Sequence, residues 1–193
     1  MRTKLIIAST RPTRKGPIVA AWIALVAREQ PEIELEVLDL ATINLPMMDE
    51  PQHPRLQKYQ HQHTKDWSAK IEPAEAFIIV MPEYNFGYPA PLKNAIDYLF
   101  REWNNKPVGL VSYGGVSAGL RAVQSLKPVL TAIGLVPVPE AVSIPMFTQF
   151  INDDEQFVPN EPLTQSAQAM MKSLVRWSGV LNGLREKIGE GVL

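Results

Sequence analysis

The segment of residues 9–16 carries residue types that bind phosphate groups in proteins. Hydroxyl and guanidinium side chains follow one another along it and a glycine ends it: Ser9, Arg11, Thr13, Arg14 and Gly16. A helix is predicted to begin directly after it, at Pro17, and the first amides of a helix carry partial positive charge. A phosphate monoester fits this set better than a bridging pyrophosphate, because hydroxyls can surround a terminal group. The alternative is an ordinary polar loop with solvated arginines.

Two well-known phosphate-binding patterns do not occur in this segment. It lacks the Gly-Lys-Ser/Thr ending of a Walker A loop, and it lacks the G-x-G-x-x-G fingerprint of dinucleotide-binding folds. A nucleoside triphosphate or a dinucleotide held in either of those ways is therefore not predicted here.

Two further segments offer backbone groups to a flat ring. Residues 83–86 present consecutive amides, Tyr84 adds an aromatic plane and Gly87 adds flexibility. Gly114 and Gly115 would let the backbone approach a ring closely. Each segment taken alone is also consistent with plain turn chemistry. Together with the first segment, they predict a site for a phosphorylated planar ring.

The composition excludes several classes of chemistry. The chain has no cysteine, which excludes disulfides, thiolate nucleophiles and Cys-ligated zinc or iron–sulfur clusters, so redox chemistry would need a bound cofactor. The net charge of −1 gives no electrostatic basis for binding nucleic acid or an anionic membrane. His61 and His63 have no evident third ligand, so no metal site is predicted. The apolar run at residues 5–8 is too short for a signal peptide or a membrane span, and a cytoplasmic location is expected.

The three segments follow apolar runs that predict buried strands. These runs lie at residues 5–8, 76–81 and 107–111. Strand and helix patterns alternate five times, which predicts an α/β fold with a doubly wound, five-stranded parallel sheet and helices on both faces. No linker divides residues 1–193, so one domain is expected. Because ligands bind at the carboxyl ends of strands in such sheets, the three segments are candidates for a single site.

Proline and polar residues shape the other predicted elements. The fifth strand is expected over residues 136–144, where two prolines interrupt it. Pro128 falls inside a helix expected over residues 118–133 and should kink or break it. The polar residues 41–62 are expected to form a loop that is either functional or poorly ordered. The last helix is expected over residues 163–187.

In five blocks the chain resembles the NADPH-dependent FMN reductase family, which includes quinone, chromate and azo-dye reductases. The blocks are Ser9-Thr10-Arg11-Pro12-x-Arg14, Pro82-Glu83-Tyr84-Asn85, Leu92-Lys93-Asn94-Ala95-Ile96-Asp97, Ser112-Tyr113-Gly114-Gly115 and Gly119-Leu120-Arg121-Ala122. They lie in the expected order within residues 3–145. The resemblance implies a flavodoxin-like sheet of order 2-1-3-4-5, and FMN bound at a subunit interface of a homodimer or homotetramer.

The resemblance also implies roles for individual residues. Those implied to bind the FMN phosphate are Ser9, Arg11, Thr13 and Arg14, with the amides of Gly16, Pro17 and Ile18. Those implied to border the flavin ring and ribityl chain are Pro82, Glu83, Tyr84 and Asn85 on one side, and Ser112, Tyr113, Gly114 and Gly115 on the other. No catalytic side chain is required, and Tyr84 and Asn85 are the best candidates for contact with the acceptor. The chain departs from the family where Ala8 replaces a common glycine and Thr13 a common smaller residue.

The implied reaction begins with hydride transfer from NADPH or NADH to the flavin. The electrons would then pass to a small acceptor such as a quinone, an azo compound or a metal oxyanion, in ping-pong turnover. One alternative is a flavodoxin-like FMN electron carrier without nicotinamide activity, although such carriers are usually strongly acidic and this chain is nearly neutral. Another is a flavin-free binding module, which would stay colourless with FMN added.

Overall fold

A single parallel sheet forms the centre of the fold. The computed structural model describes the backbone of residues 1–189 and the side chains of residues 1–185, so residues 190–193 of the predicted domain lie outside the described part. The strands are β1 (Arg2–Ile7), β2 (Glu34–Asp39), β3 (Ala76–Pro82), β4 (Lys106–Tyr113), β5 (Leu135–Pro137) and β6 (Val142–Ile144). All of their pairings are parallel, as the alternation of strands and helices predicted.

The strand order is β2-β1-β3-β4-β5, which confirms the predicted order 2-1-3-4-5. The predicted fifth strand, however, is two short strands, because β5 and β6 both pair with β4 at different heights. Pro139 lies between them, and proline has no N–H to donate to the ladder. The interruption that the prolines predicted within residues 136–144 therefore divides the expected fifth strand into two.

Helices cover both faces of the sheet. They are α1 (Gly16–Arg28), α2 (Leu40–Ile43), α3 (Gln62–Ile71), α4 (Ala90–Asp97), α5 (Leu120–Ala132) and α6 (Glu161–Gly189). Helices α1 and α6 share one core, which contains Ile23 and Leu174, whereas α3, α4 and α5 share the other, which contains Trp67 and Leu126. Every residue of β3 is buried, because helices cover it on both sides. Within residues 1–189, no helix combines the length and apolar character needed to cross a membrane.

Two prolines lie within helices, and their positions decide whether the helix loses a backbone hydrogen bond. Pro17 lies in the first turn of α1, where its missing N–H leaves no helical acceptor unpaired. Helix α5 continues through Pro128, so of the predicted kink or break the break is wrong. Leu126 and Leu130 are fully buried beneath it. Their packing against the sheet favours a continuous helix despite the lost hydrogen bond.

The polar residues 41–62 are fixed to the helices on one face of the sheet. Asn94 of α4 donates from Nδ2 to the carbonyl oxygen of Pro46 (2.7 Å) and accepts at Oδ1 from the amide of Met48 (2.9 Å). The buried Glu102 carboxylate accepts a hydrogen bond of 2.8 Å from the hydroxyl of Tyr59 in the same segment. The segment is therefore structured, and of the two expectations for it the poorly ordered loop is wrong.

Candidate cofactor site

Three loops meet at the carboxyl edge of the sheet, after the neighbouring strands β1, β3 and β4. We call them the first loop (residues 9–16), the second loop (residues 82–87) and the third loop (residues 112–115). The sheet register sets them side by side, because Ile7 lies opposite Val80 and Pro82 lies opposite Tyr113. The structure thus brings together the three segments that sequence analysis selected.

The first and third loops touch through Ser9, Gly16 and Tyr113. The Tyr113 hydroxyl donates to Ser9 Oγ at 3.4 Å, and both residues are buried. A Cβ atom added to Gly16 would lie only 2.3 Å from Ser9 Oγ and 2.9 Å from the Tyr113 hydroxyl. Burial raises the pKa of Tyr113 to about 12, so the hydroxyl keeps its proton near neutral pH. Ser9, implied to be a phosphate ligand, therefore faces Tyr113 inside the loop, and its hydroxyl is shielded from solvent.

Two of the three cationic side chains in the first loop are paired with carboxylates. Arg14 makes two hydrogen bonds of 2.6 Å to Asp39 at the end of β2. Lys15 Nζ lies 2.5 Å from the Glu155 carboxylate. Arg11 is exposed and has no carboxylate partner among the side chains that the structure describes. Arg11 is therefore the guanidinium available to a phosphate, whereas Arg14 fixes the loop to β2 through Asp39.

Backbone amides add neutral donors to the first loop. Those without an acceptor within residues 1–185 belong to Ser9, Thr10, Arg11, Thr13, Lys15 and Gly16. Two donors expected at the start of α1 are not available, since Pro17 has no N–H and the amide of Ile18 donates to the carbonyl of Lys15 at 3.1 Å. Clustered amides beside a helix N-terminus bind anions. The first loop can therefore bind a phosphate, but fewer of its amide donors come from the helix, and more from the loop, than expected.

The second loop is a tight turn that closes on itself. The amide of Tyr84 donates to the carbonyl of Gly87, and the amide of Gly87 donates to the carbonyl of Tyr84, both at 2.9 Å. Asn85 and Phe86 both have positive φ, 49° and 69°, which defines a type I′ turn. The expectation that four consecutive amides face a ligand is therefore wrong for Tyr84. Within residues 1–185, those of Glu83, Asn85 and Phe86 have no acceptor.

Glu83 links the second loop to the start of α5. Its carboxylate accepts from the Arg121 guanidinium at 2.8 Å, from the Arg121 amide at 3.0 Å and from the Ser117 hydroxyl at 3.2 Å. Burial raises the pKa of Glu83, but the hydrogen bonds from Arg121 outweigh it, so the pKa is lowered and the group stays ionised. The Glu83 side chain therefore positions the loops, and only its backbone remains available to a cofactor.

The third loop presents one open glycine. The Ser112 hydroxyl is buried and donates to the carbonyl of Ala118 at 2.8 Å, so it is not available to a ligand. A Cβ on Gly114 would meet the amide nitrogen of Gly119 at 3.2 Å. A Cβ on Gly115 would meet no atom within 4 Å. A ring was expected to approach the backbone closely at both glycines. Only Gly115 leaves room for this, whereas Gly114 packs against Gly119.

Aromatic side chains border the site on the side of the second loop. Phe86 is 68% exposed, and the Arg121 guanidinium lies 4.1 Å from the centre of its ring. Tyr84 is also exposed. Phe86 also has positive φ, and non-glycine residues in this conformation cluster at functional sites. An anion-binding loop, free amides, an open glycine and flat apolar groups together fit a phosphorylated ring such as FMN.

Sequence reasoning missed residues outside the three loops that position them. Asp39 and Glu155 neutralise two cations of the first loop, and Arg121 joins the second loop to α5. An available signal was the position of Asp39 at the carboxyl end of a strand next to β1. His61 and His63 stack on each other, and no group of three or more metal-ligating side chains was found in the described part of the chain.

Known proteins are similar to this chain in sequence and in fold. A family model described as NADPH-dependent FMN reductase matches residues 1–149. An NAD(P)H-dependent FMN reductase of Schizosaccharomyces pombe is 35% identical over 188 residues, which are 96% of this chain and 86% of the relative. An FMN-dependent NADPH-azoreductase of Staphylococcus aureus is 30% identical over 163 residues, covering 83% and 81% of the two chains. The flavoenzyme NAD(P)H:(acceptor) oxidoreductase FerB of Paracoccus denitrificans has the same fold, with a TM-score of 0.75 and 23% identity over 92% of this chain and 97% of its own.

Proposed function

The chain belongs to the NADPH-dependent FMN reductase family, and from this premise we propose that it passes electrons from NADPH or NADH through FMN to a small quinone. FMN and the nicotinamide donor are those of the family, and the acceptor class is the proposed part. A flat, neutral acceptor is favoured over a metal oxyanion because exposed Tyr84 and Phe86 border the site. Azo compounds are a second acceptor class with the same flat shape.

One observation carries this proposal: side-chain contacts join the three strand-end loops into a single site. Tyr113 connects the third loop to Ser9 of the first, and Glu83 connects the second loop to Ser117 and Arg121 beyond the third. Preorganised loops lower the ordering cost of binding a cofactor. When bound, FMN supplies two-electron chemistry, accepting a hydride from the nicotinamide and giving electrons to the acceptor.

The residues of this chain would bind and orient the cofactor. Arg11, Thr13 and the free amides of the first loop would bind the phosphate. The amides of Asn85 and Phe86 and the open face of Gly115 would border the ring. The Tyr113 hydroxyl of the third loop would remain a neutral donor to Ser9 of the first loop, since burial raises the pKa of Tyr113 to about 12. No residue is assigned as a catalytic acid or base, and Tyr84 and Asn85 remain the candidates for acceptor contact.

Purified protein incubated with FMN and desalted is expected to be yellow and to oxidise NADPH when para-benzoquinone is added. NADPH oxidation is followed by absorbance, with and without the quinone. Yellow protein without NADPH oxidation would favour an electron carrier over the proposed enzyme. Protein that stays colourless with FMN would favour a flavin-free binding module.

We further propose that a second copy of the chain covers the apolar rim of the site. Val116 and Phe86, in or beside the loops of the site, are 89% and 68% exposed. Exposed apolar side chains beside a binding site are candidates for an interaction surface. A homodimer or homotetramer that buries these residues would place the cofactor site beside a subunit boundary.

Specific activity is therefore expected to fall as the enzyme is diluted, in parallel with dissociation measured by light scattering. Val116→Asp is expected to shift this dependence to higher protein concentration, because it places a charge at the proposed interface. Val180→Asp is the matched control, since Val180 is also exposed but lies on α6. Equal dilution curves for all three proteins would contradict an interface at this rim.

A further inference from the structure

Residues 146–158 follow β6 and have no role in the proposed function. We call them the hairpin segment. Its start is tied to the third loop, because the amide of Phe147 donates to the carbonyl of Gly114 at 3.2 Å. The ring of Phe147 also packs on that of Tyr113, with ring centres 5.0 Å apart. The hairpin segment therefore begins in contact with one loop of the proposed cofactor site.

The middle of the hairpin segment is held against α1, the helix that follows the first loop. Ile151 and Phe157 form an antiparallel bridge across a tight turn. The buried ring of Phe157 stacks on Trp22 of α1, with ring centres 4.6 Å apart. Stacked aromatic pairs stabilise a contact beyond the apolar area that they bury. This packing fixes the position of the turn relative to the first loop.

The turn of the hairpin segment brings an acidic side chain to the first loop. The carboxylate of Glu155 accepts a hydrogen bond of 2.5 Å from Lys15 Nζ. This hydrogen bond lowers the pKa of Glu155, so the carboxylate is ionised near neutral pH. Glu155 has φ of 55°, and non-glycine residues in this conformation cluster at functional sites. The hairpin segment thus places a negative charge beside the loop proposed to bind phosphate.

Without Glu155, Lys15 would be a second free cation in the first loop. The amide of Lys15 is one of those without an acceptor, so its backbone lies at the proposed phosphate position. The lysine ammonium stands on a flexible stem of four carbons, which lets it turn toward an anion. A carboxylate beside the ammonium cancels most of its field, and a neutral ion pair attracts a phosphate less than a free cation does. Glu155 therefore opposes phosphate binding through Lys15.

Of the two ion pairs of the first loop, the one with Lys15 is the easier to open. The side chains of Lys15 and Glu155 are 39% and 70% exposed, and they share one hydrogen bond. Those of Arg14 and Asp39 are 18% and 22% exposed, and they share two. Exposed ion pairs contribute little to stability, whereas bidentate guanidinium–carboxylate pairs are stronger. Lys15 is therefore the cation whose pairing a bound phosphate can change.

We propose that Glu155 is a positioning residue that lowers the affinity for FMN by holding the Lys15 ammonium away from the cofactor phosphate. This inference rests on the proposed function, because it concerns the cofactor of that reaction. While the ion pair is closed, Arg11 and the loop amides hold the phosphate, and FMN dissociates faster than it would from a site with a free lysine. The inference concerns binding and assigns no catalytic residue.

Glu155→Gln is expected to tighten FMN binding about three- to tenfold, mainly through slower dissociation, because the uncharged amide releases Lys15. Glu155→Asn also removes the charge, suits the left-handed backbone of the turn and is expected to tighten binding similarly. Asp154→Asn is the matched control, since Asp154 is exposed in the same turn and pairs with no cation among the side chains of residues 1–185. Flavin fluorescence titration measures the affinities, and stopped-flow fluorescence measures the dissociation rates. Riboflavin, which has no phosphate, is expected to bind all four proteins equally.

A Lys15→Met background tests whether Glu155 acts through Lys15. There, Glu155→Gln is expected to change FMN affinity by less than about twofold. Equal tightening in both backgrounds would mean that Glu155 repels the phosphate directly, and it would overturn the inference.

Two further results would overturn the role of Glu155 and leave the proposed function standing. One is equal FMN affinity in Glu155→Gln, Asp154→Asn and the wild type. The other is tighter binding of riboflavin as well as FMN, which would assign the effect to the packing of the hairpin segment. If no variant bound FMN, the wild type included, the proposed function would be overturned and this inference with it.

Discussion

Gly16→Ala is expected to weaken FMN binding at least about 100-fold and to lower the free energy of unfolding by about 1–3 kcal/mol, the range for overpacked sites. The added methyl group would lie 2.3 Å from Ser9 Oγ, 2.9 Å from the Tyr113 hydroxyl and 3.2 Å from Ile7 Cγ2. These atoms belong to a strand and two loops, so relieving the clash must move the first loop away from the third. The phosphate donors of the first loop would then lose their arrangement. Flavin fluorescence titration and urea unfolding of the FMN-free protein measure the two effects separately.

Gly179→Ala is the matched control for this substitution. Gly179 lies in α6, and a Cβ there would meet no atom within 4 Å. Alanine is favoured over glycine within helices by about 0.5–1 kcal/mol, so this variant is expected to be slightly more stable and to bind FMN as the wild type does. Wild-type FMN affinity in Gly16→Ala would show that the contact between Ser9, Gly16 and Tyr113 does not shape the cofactor site.

The parallel sheet and the position of the site could be predicted from repeating patterns in the sequence, whereas the strand order was implied by the resemblance to the family. Buried apolar runs alternating with helical spacing specify parallel strands, and parallel strands place their following loops at one edge. Residues 9–16, 82–87 and 112–115 are therefore predicted to form one site. Pattern reasoning of this kind locates the backbone of a site.

The partners of individual side chains could not be predicted in the same way. Arg14 and Arg11 lie three residues apart in the same loop, yet only Arg14 finds a carboxylate, because β2 ends at Asp39 beside it. Ser9 was identified as a hydroxyl available to phosphate, but the register of β3 with β4 places Tyr113 against it. Such pairings depend on strand register and rotamers, which residue types alone do not specify.

The backbone conformation of the second loop could not be predicted from residue types either. A turn was predicted at Glu83–Phe86, but its type decides which amides are free. Asn-Gly is the usual signal for a type I′ turn, and this chain uses Asn85 and Phe86 instead. Phenylalanine is rare with positive φ, so the residue types do not indicate that the Tyr84 amide donates to a carbonyl within the turn.

Arg11→Ala is expected to weaken FMN binding about 10- to 150-fold, the loss for one hydrogen bond to a charged group of about 1.5–3 kcal/mol, while leaving stability within about 0.5 kcal/mol of wild type. Arg11 is exposed and, unlike Arg14 and Lys15, pairs with no described carboxylate, so its removal takes nothing from the folded protein itself. Arg11→Lys keeps the charge but loses the bidentate fork and should recover only part of the affinity. Arg28→Ala, which removes an exposed arginine at the opposite end of α1, is expected to change neither quantity. Riboflavin has no phosphate, so its binding affinity should be the same in all three variants as in the wild type. Equal FMN affinity in Arg11→Ala and Arg28→Ala would mean that the phosphate binds elsewhere.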